Sequence, residues 1–122
     1  VSVVDRILLG TPSLGTGKAR YTMVKHIVMW KLKETAEGSD AAANAAKMKT
    51  MLEALNGRIE GLEHLEVSAR IVESEPECHV VLYSELASEE ALSGYQVHPE
   101  HQACVAFIKK VVSERRVLDY TI

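Results

Sequence analysis

The chain has 122 residues, room for one domain and too few for two. Its 47% hydrophobic and 25% charged content are those of a soluble globular protein, with few aromatics to build a core. A net charge of −3 without a basic cluster argues against a nucleic-acid partner, and no apolar run nears the ~20 residues that span a membrane.

Residues 1–22 hold Gly10, Pro12, Gly15 and Gly17 with little periodicity. Asp5 and Arg6 interrupt their one apolar stretch, so no signal peptide is read there. They read as a native extension or an appended remnant, and residues 23–122 as the domain. Residues 24–33 alternate. Val24, His26, Val28, Trp30 and Leu32 share one face of a strand; Lys25, Ile27, Met29, Lys31 and Lys33 share the other. Apolar residues on both faces predict cover on both.

Residues 34–39 read as a polar loop, after which Ser39 or Asp40 can cap a helix. Ala45, Met48, Leu52 and Leu55, joined by Met51, form its apolar stripe, and Gly57 lies just beyond. Residues 62–72 alternate again, with Leu65, Val67, Ala69 and Ile71 on the apolar face. A turn around Pro76 leads to a third strand over 78–86. Ser88 caps a short helix that Gly94 ends, and His98 and Pro99 start another. Cys104, Phe107, Ile108 and Val111 form that helix's buried stripe, and 115–122 is the last strand.

The order β-α-β-β-(α)α-β is that of a ferredoxin-like α+β domain. Helices on one side leave the other sheet face bare, with Ile27 and Met29 on it. Pairing two such faces would bury them, so the sequence predicts a homodimer closed into a dimeric α+β barrel. Cys78 and Cys104 fit no zinc or redox spacing, and read as free thiols of a cytoplasmic protein.

Three segments resemble one family. Val24–Lys33 is similar to the opening strand of stress-responsive A/B barrel (Dabb) proteins. Tyr95-Gln96-Val97-His98-Pro99-Glu100-His101 resembles their Tyr-x-x-His-Pro-x-His element, and Asp119-Tyr120-Thr121 their closing strand. The resemblance runs from Met23 to the C-terminus. It implies a ferredoxin-like monomer that pairs into an α+β barrel. One plant member, olivetolic acid cyclase, closes a polyketide ring by aldol chemistry without a metal. Its catalytic tyrosine and histidine match Tyr95 and His101, and its strand histidine matches His26. That enzyme's pocket is lined by large aromatics, where the first helix here offers Ala45, Ala46, Met48 and Met51. The cyclase's own substrate is therefore not expected.

His26 is either a satisfied core residue or a pocket base. His101 falls in a first helical turn, whose positive end favours neutral imidazole and so a general base. Tyr95 could hydrogen-bond a developing enolate or hold a carbonyl, or be a buried tyrosine bonded locally. The pocket they imply would be lined by Val28, Trp30, Met48, Met51, His98 and Cys104. Met48 and Met51 also fit the core, Cys104 an inert thiol and His98 a helix-start bond. No metal is expected, because Pro99 interrupts the His-x-x-His pair and no fourth ligand is obvious. No glycine loop for a phosphate-bearing cofactor is present. Three functions follow: a cofactor-free lyase- or cyclase-like enzyme on a small apolar carbonyl compound, a non-catalytic ligand-binding or stress-response protein, and, least supported, a heme- or quinone-type monooxygenase.

Overall fold

The structure is a computed structural model that describes residues 22–122; apart from Thr22, the N-terminal segment read as an extension lies outside the described residues. In chain order the elements are β1 (Val24–Leu32), β2 (Thr35–Ala36), β3 (Ser39–Asp40), α1 (Ala41–Glu53), β4 (Leu62–Ser68), β5 (Val80–Leu86), α2 (Glu89–Val97), α3 (Pro99–Val111) and β6 (Val112–Thr121). The main sheet has the order β4-β5-β1-β6, with every pairing antiparallel. This is the ferredoxin-like arrangement.

Local chemistry explains the boundaries, including those the sequence misplaces. Residues 35–40 form a tight hairpin rather than a loop. Glu37 and Gly38 both take positive φ, at 53° and 80°, as a two-residue hairpin turn requires. Asn44 is buried and donates from Nδ2 to the carbonyls of Ala36 and Ser39, tying the hairpin to α1. Asp40 caps α1 by accepting from the Ala43 N–H at 2.8 Å. Strand β4 stops at Ser68, so Ala69 is exposed rather than part of an apolar strand face. Gly94 does not end α2, which runs on to Val97; the stop is His98, held extended at ψ 134° ahead of Pro99. Chain α3 passes into β6 with no loop, which is why that strand starts at Val112 and not at 115.

The alternation along β1 decides the layers. Its residues Val24, His26, Val28, Trp30 and Leu32 are buried against the helices, with Met48 and Leu52 of α1, Leu82 of β5 and Val111 of α3 in the same core. Its other face is half-buried. Beside it on that face, by register, stand Tyr83, Val81 and Leu118. Leu118 and Tyr120 remain 53% and 42% exposed. Among the described residues no helix is long and apolar enough to cross a membrane.

The expected α+β barrel is not formed. Among the described residues the sheet stays open, with β4 and β6 as its edges. Closing a sheet with a filled interior takes about eight strands, and four strands backed by helices on one face cannot curl into one.

Candidate functional site

The central strand brings His26 to the middle of the buried sheet face, where it is only 3% exposed. Directly across the β1–β6 ladder lies Asp119. Its carboxylate accepts from His26 Nδ1, which puts the proton of a neutral imidazole on Nδ1 and leaves the Nε2 lone pair free. The sequence reading missed Asp119 as a site residue. The signal was available: the alternation of β1 and of the closing strand puts both residues on one face once register is known.

Tyr95, near the end of α2, is fully buried. Its ring stands between two imidazoles, with its centroid 4.3 Å from that of His101 at a tilt of 42° and 5.9 Å from that of His26, edge-on. The three residues the sequence singles out thus converge. The Tyr95 hydroxyl has no hydrogen-bond partner among the described residues, and the same is true of the buried Trp30 Nε1–H. Burial pushes the phenol far above its ordinary value, with Cys104 adding to the shift, so Tyr95 stays a proton-bearing donor.

His101 donates from Nδ1 to the Gln96 carbonyl at 3.2 Å, which leaves its Nε2 as the acceptor. Burial holds its pKa below the ordinary imidazole value, against the raising effect of the Gln96 carbonyl; the charges of His26, Arg115 and His98 push in the lowering direction. The expected neutral state is therefore set chiefly by desolvation and not by the helix end alone.

These groups border a cavity of about 280 Å³ between the sheet and α3. Of the expected lining residues, Val28 and Trp30 are there. Met48, Met51, His98 and Cys104 are not. Met48 is wholly enclosed by the core, Met51 packs against that core, and the Cys104 Sγ–H donates to the Met51 carbonyl at 3.6 Å. Burial raises the Cys104 thiol pKa, so the group stays protonated and inert. His98 caps α3, its Nδ1 accepting from the Glu100 N–H at 3.1 Å. In their place the walls include Leu52, Leu82, Val105 and Ile108, with Lys109 and Arg115 completing the lining. Val105, Ile108 and Lys109 follow His101 at four, seven and eight residues, one helical face.

Among the described residues no group of three or more His, Cys, Asp or Glu side chains comes together as metal ligands. Glu100 turns to Arg58 at 2.6 Å. His64 bonds Glu66, and His79 accepts the Leu32 N–H, both away from the cavity.

Residues 24–122 match the Stress responsive A/B Barrel Domain family. The chain belongs to this family. Among solved structures, it is similar to a dimeric protein of unknown function with a ferredoxin-like fold from Bacteroides fragilis (27% identity, 82% of this chain and 96% of that one, TM-score 0.70). A dimeric ferredoxin-like protein from Thermobifida fusca matches at 18% identity over 90% of this chain and all of that one, with TM-score 0.72. Hydroxynitrile lyase from Passiflora edulis matches at 12% identity over 83% and 94% of the two chains, with TM-score 0.68, a likeness of fold alone. No curated protein matches the sequence. Within the stress-responsive A/B barrel family, this chain's Tyr-x-x-His-Pro-x-His element runs from the last turn of α2 into the first turn of α3. The helix break at His98–Pro99 is what turns Tyr95 and His101 toward each other.

Proposed function

We propose that the protein is a small-molecule-binding homodimer, its copies meeting through their open sheet faces and each keeping the cavity beside Tyr95 for an apolar carbonyl compound. The observation that carries this reading is the pair of buried donors in the cavity wall that have no partner among the described residues, Tyr95 Oη–H and Trp30 Nε1–H. Leaving such a group unmet costs about 1–3 kcal/mol, which a ligand oxygen would offset. The dimer is supported by the greasy open face around Ile27 and Leu118 and by the dimeric relatives. The free Cys78 and Cys104 thiols support a reducing, cytoplasmic setting.

A second reading, metal-free acid–base chemistry, is favoured by the two imidazoles that each keep Nε2 free while Nδ1 is held. In that case Nε2 of one imidazole takes a proton from carbon next to the ligand carbonyl. The C–H electrons move to the oxygen as an enolate, and the Tyr95 hydroxyl hydrogen-bonds it.

Acetophenone, neutral and single-ringed, tests both. Trp30 is the only tryptophan and reports binding by its fluorescence. Saturable binding is expected, weakened about tenfold in Tyr95→Phe, the loss of one hydrogen bond. Equal binding to both proteins, or none, overturns the ligand site. Exchange of the methyl protons in D₂O that stops in His101→Gln would assign catalysis; binding without exchange would assign a carrier. Sedimentation of the wild type at micromolar concentration should show a dimer that Leu118→Lys splits, and a wild-type monomer would remove the paired sheets.

A further inference from the structure

The chain carries net negative charge, yet among the described residues no carboxylate lines its apolar cavity and two cations do, Lys109 and Arg115. Most of the other cations among the described residues are engaged. Lys25, Lys31, Lys49 and Arg58 pair with Glu85, Glu77, Glu53 and Glu100. Lys33 donates to the Lys110 carbonyl, and Lys47 covers the Phe107 ring. Among the described residues neither Lys109 nor Arg115 makes an ion pair. Both lysines of the last α3 turn suit the negative helix end, but only Lys109 also reaches the cavity.

Their placement is directional. Arg115 stands opposite Trp30 in the β1–β6 ladder, and Asp119 opposite His26. The two positions lie four residues apart on one strand face, about 13 Å at ~3.3 Å per residue. Lys109 lies eight residues along α3 from His101, about 12 Å of helix rise. The backbone thus sets the two cations at one end of the cavity, by Trp30, and the His26–Asp119 pair at the other. Val28, Val105 and Ile108 are the apolar wall between them.

We infer that the cavity takes a small amphipathic carboxylate, its anionic head held at the mouth by Lys109 and Arg115 and its apolar body carrying a carbonyl oxygen inward to Tyr95. This rests on the ligand-binding reading above and names its substrate class. A volume of about 280 Å³ is at the small end of ligand cavities, roughly 300–1,000 Å³, so one ring or a short chain fits. Two exposed cations are each worth a modest factor and both are screened by salt, so the preference for an anion is a matter of about tenfold.

The test compares phenylacetate with phenylacetamide, of the same shape and uncharged, by Trp30 fluorescence. Phenylacetate should bind about tenfold more tightly at low salt, and the margin should shrink at high salt. Lys109→Gln with Arg115→Gln should abolish the margin, weakening phenylacetate more than phenylacetamide. Both side chains are exposed, so the double variant should fold. Equal binding of acid and amide to the wild type, or a margin that survives the double variant, overturns the anion site while the ligand-binding reading stands. If acid, amide and acetophenone all fail to bind, that reading falls and this inference with it.

Discussion

Replacing Tyr95 by Phe separates a site tyrosine from a structural one, because the two predict opposite signs for stability. The Tyr95 ring is fully buried between His26 and His101, and Phe would keep that packing. What disappears is a hydroxyl with no partner among the described residues. A buried polar group without a hydrogen bond costs about 1–3 kcal/mol, so the variant should be more stable by about 1 kcal/mol once some cavity solvation is allowed for. For a domain of this size that raises Tm by about 4 °C. Calorimetry and urea unfolding at neutral pH measure it, with an unchanged m-value showing that only stability moved. The same variant should bind ligand less well, so stability and binding move in opposite directions. A Tm lowered by several degrees would refute the reasoning. It would mean that the hydroxyl is already bonded in the free protein, and the argument from its unmet valence would fail.

Gly61→Ala and Gly94→Ala should have opposite signs. At Gly61 φ is +86° and a Cβ would come within 2.6 Å of the Ala91 Cβ, so strain and overlap together should cost about 2–4 kcal/mol in urea unfolding. Gly94 lies inside α2 with nothing within 4 Å of its added Cβ, so alanine there should stabilise by roughly 0.5–1 kcal/mol. His101 gives a pH dependence. Its folded pKa lies below the ordinary 6.5, so the unfolded chain binds the extra proton first. Its contribution is complete above pH 6.5 and is lost as pH falls toward the folded value; the Tm difference between wild type and His101→Gln, measured from pH 8 to 5, should narrow in that window. A difference that is flat or widens with acid would contradict the buried neutral imidazole.

The two-residue period along β1 was legible in the sequence, and with it the burial of His26, Val28 and Trp30 on one face. The Ala45, Met48 and Leu52 stripe of α1 was equally plain, because helix and strand periods are local. What stayed hidden depended on register or on distance in space. Asp119 became a partner of His26 only through the β1–β6 pairing. Lys109 and Arg115 read as ordinary solvated charges until α3 and β6 folded them over one cavity. The sequence places Met48 and Met51 at the pocket because a stripe shows which face is buried but not how deep each residue lies. The hairpin at residues 35–40 escaped because two-residue strands carry no period at all. Paired apolar faces likewise imply a partner without implying that a sheet closes.

The alternation that gives β1 two faces also separates the cavity from the open sheet face. His26 looks into the cavity and Ile27, its neighbour, into the open face; across the ladder Asp119 and Leu118 repeat the division. Because side chains alternate strictly, a one-residue slip of β6 would move Asp119 to the open face and Leu118 toward the imidazole. The site therefore depends on β6 holding its register, although β6 is an edge strand exposed along nearly all its length. Three features hold it there. The His26–Asp119 bond pins one end, and the loop-free junction with α3 fixes the other. The irregularity between Lys31 and Leu32 absorbs the mismatch where helix becomes strand. The hydrogen bond that sets the His26 tautomer is thus also a structural tie, and Asp119 serves the fold and the site through the same contact.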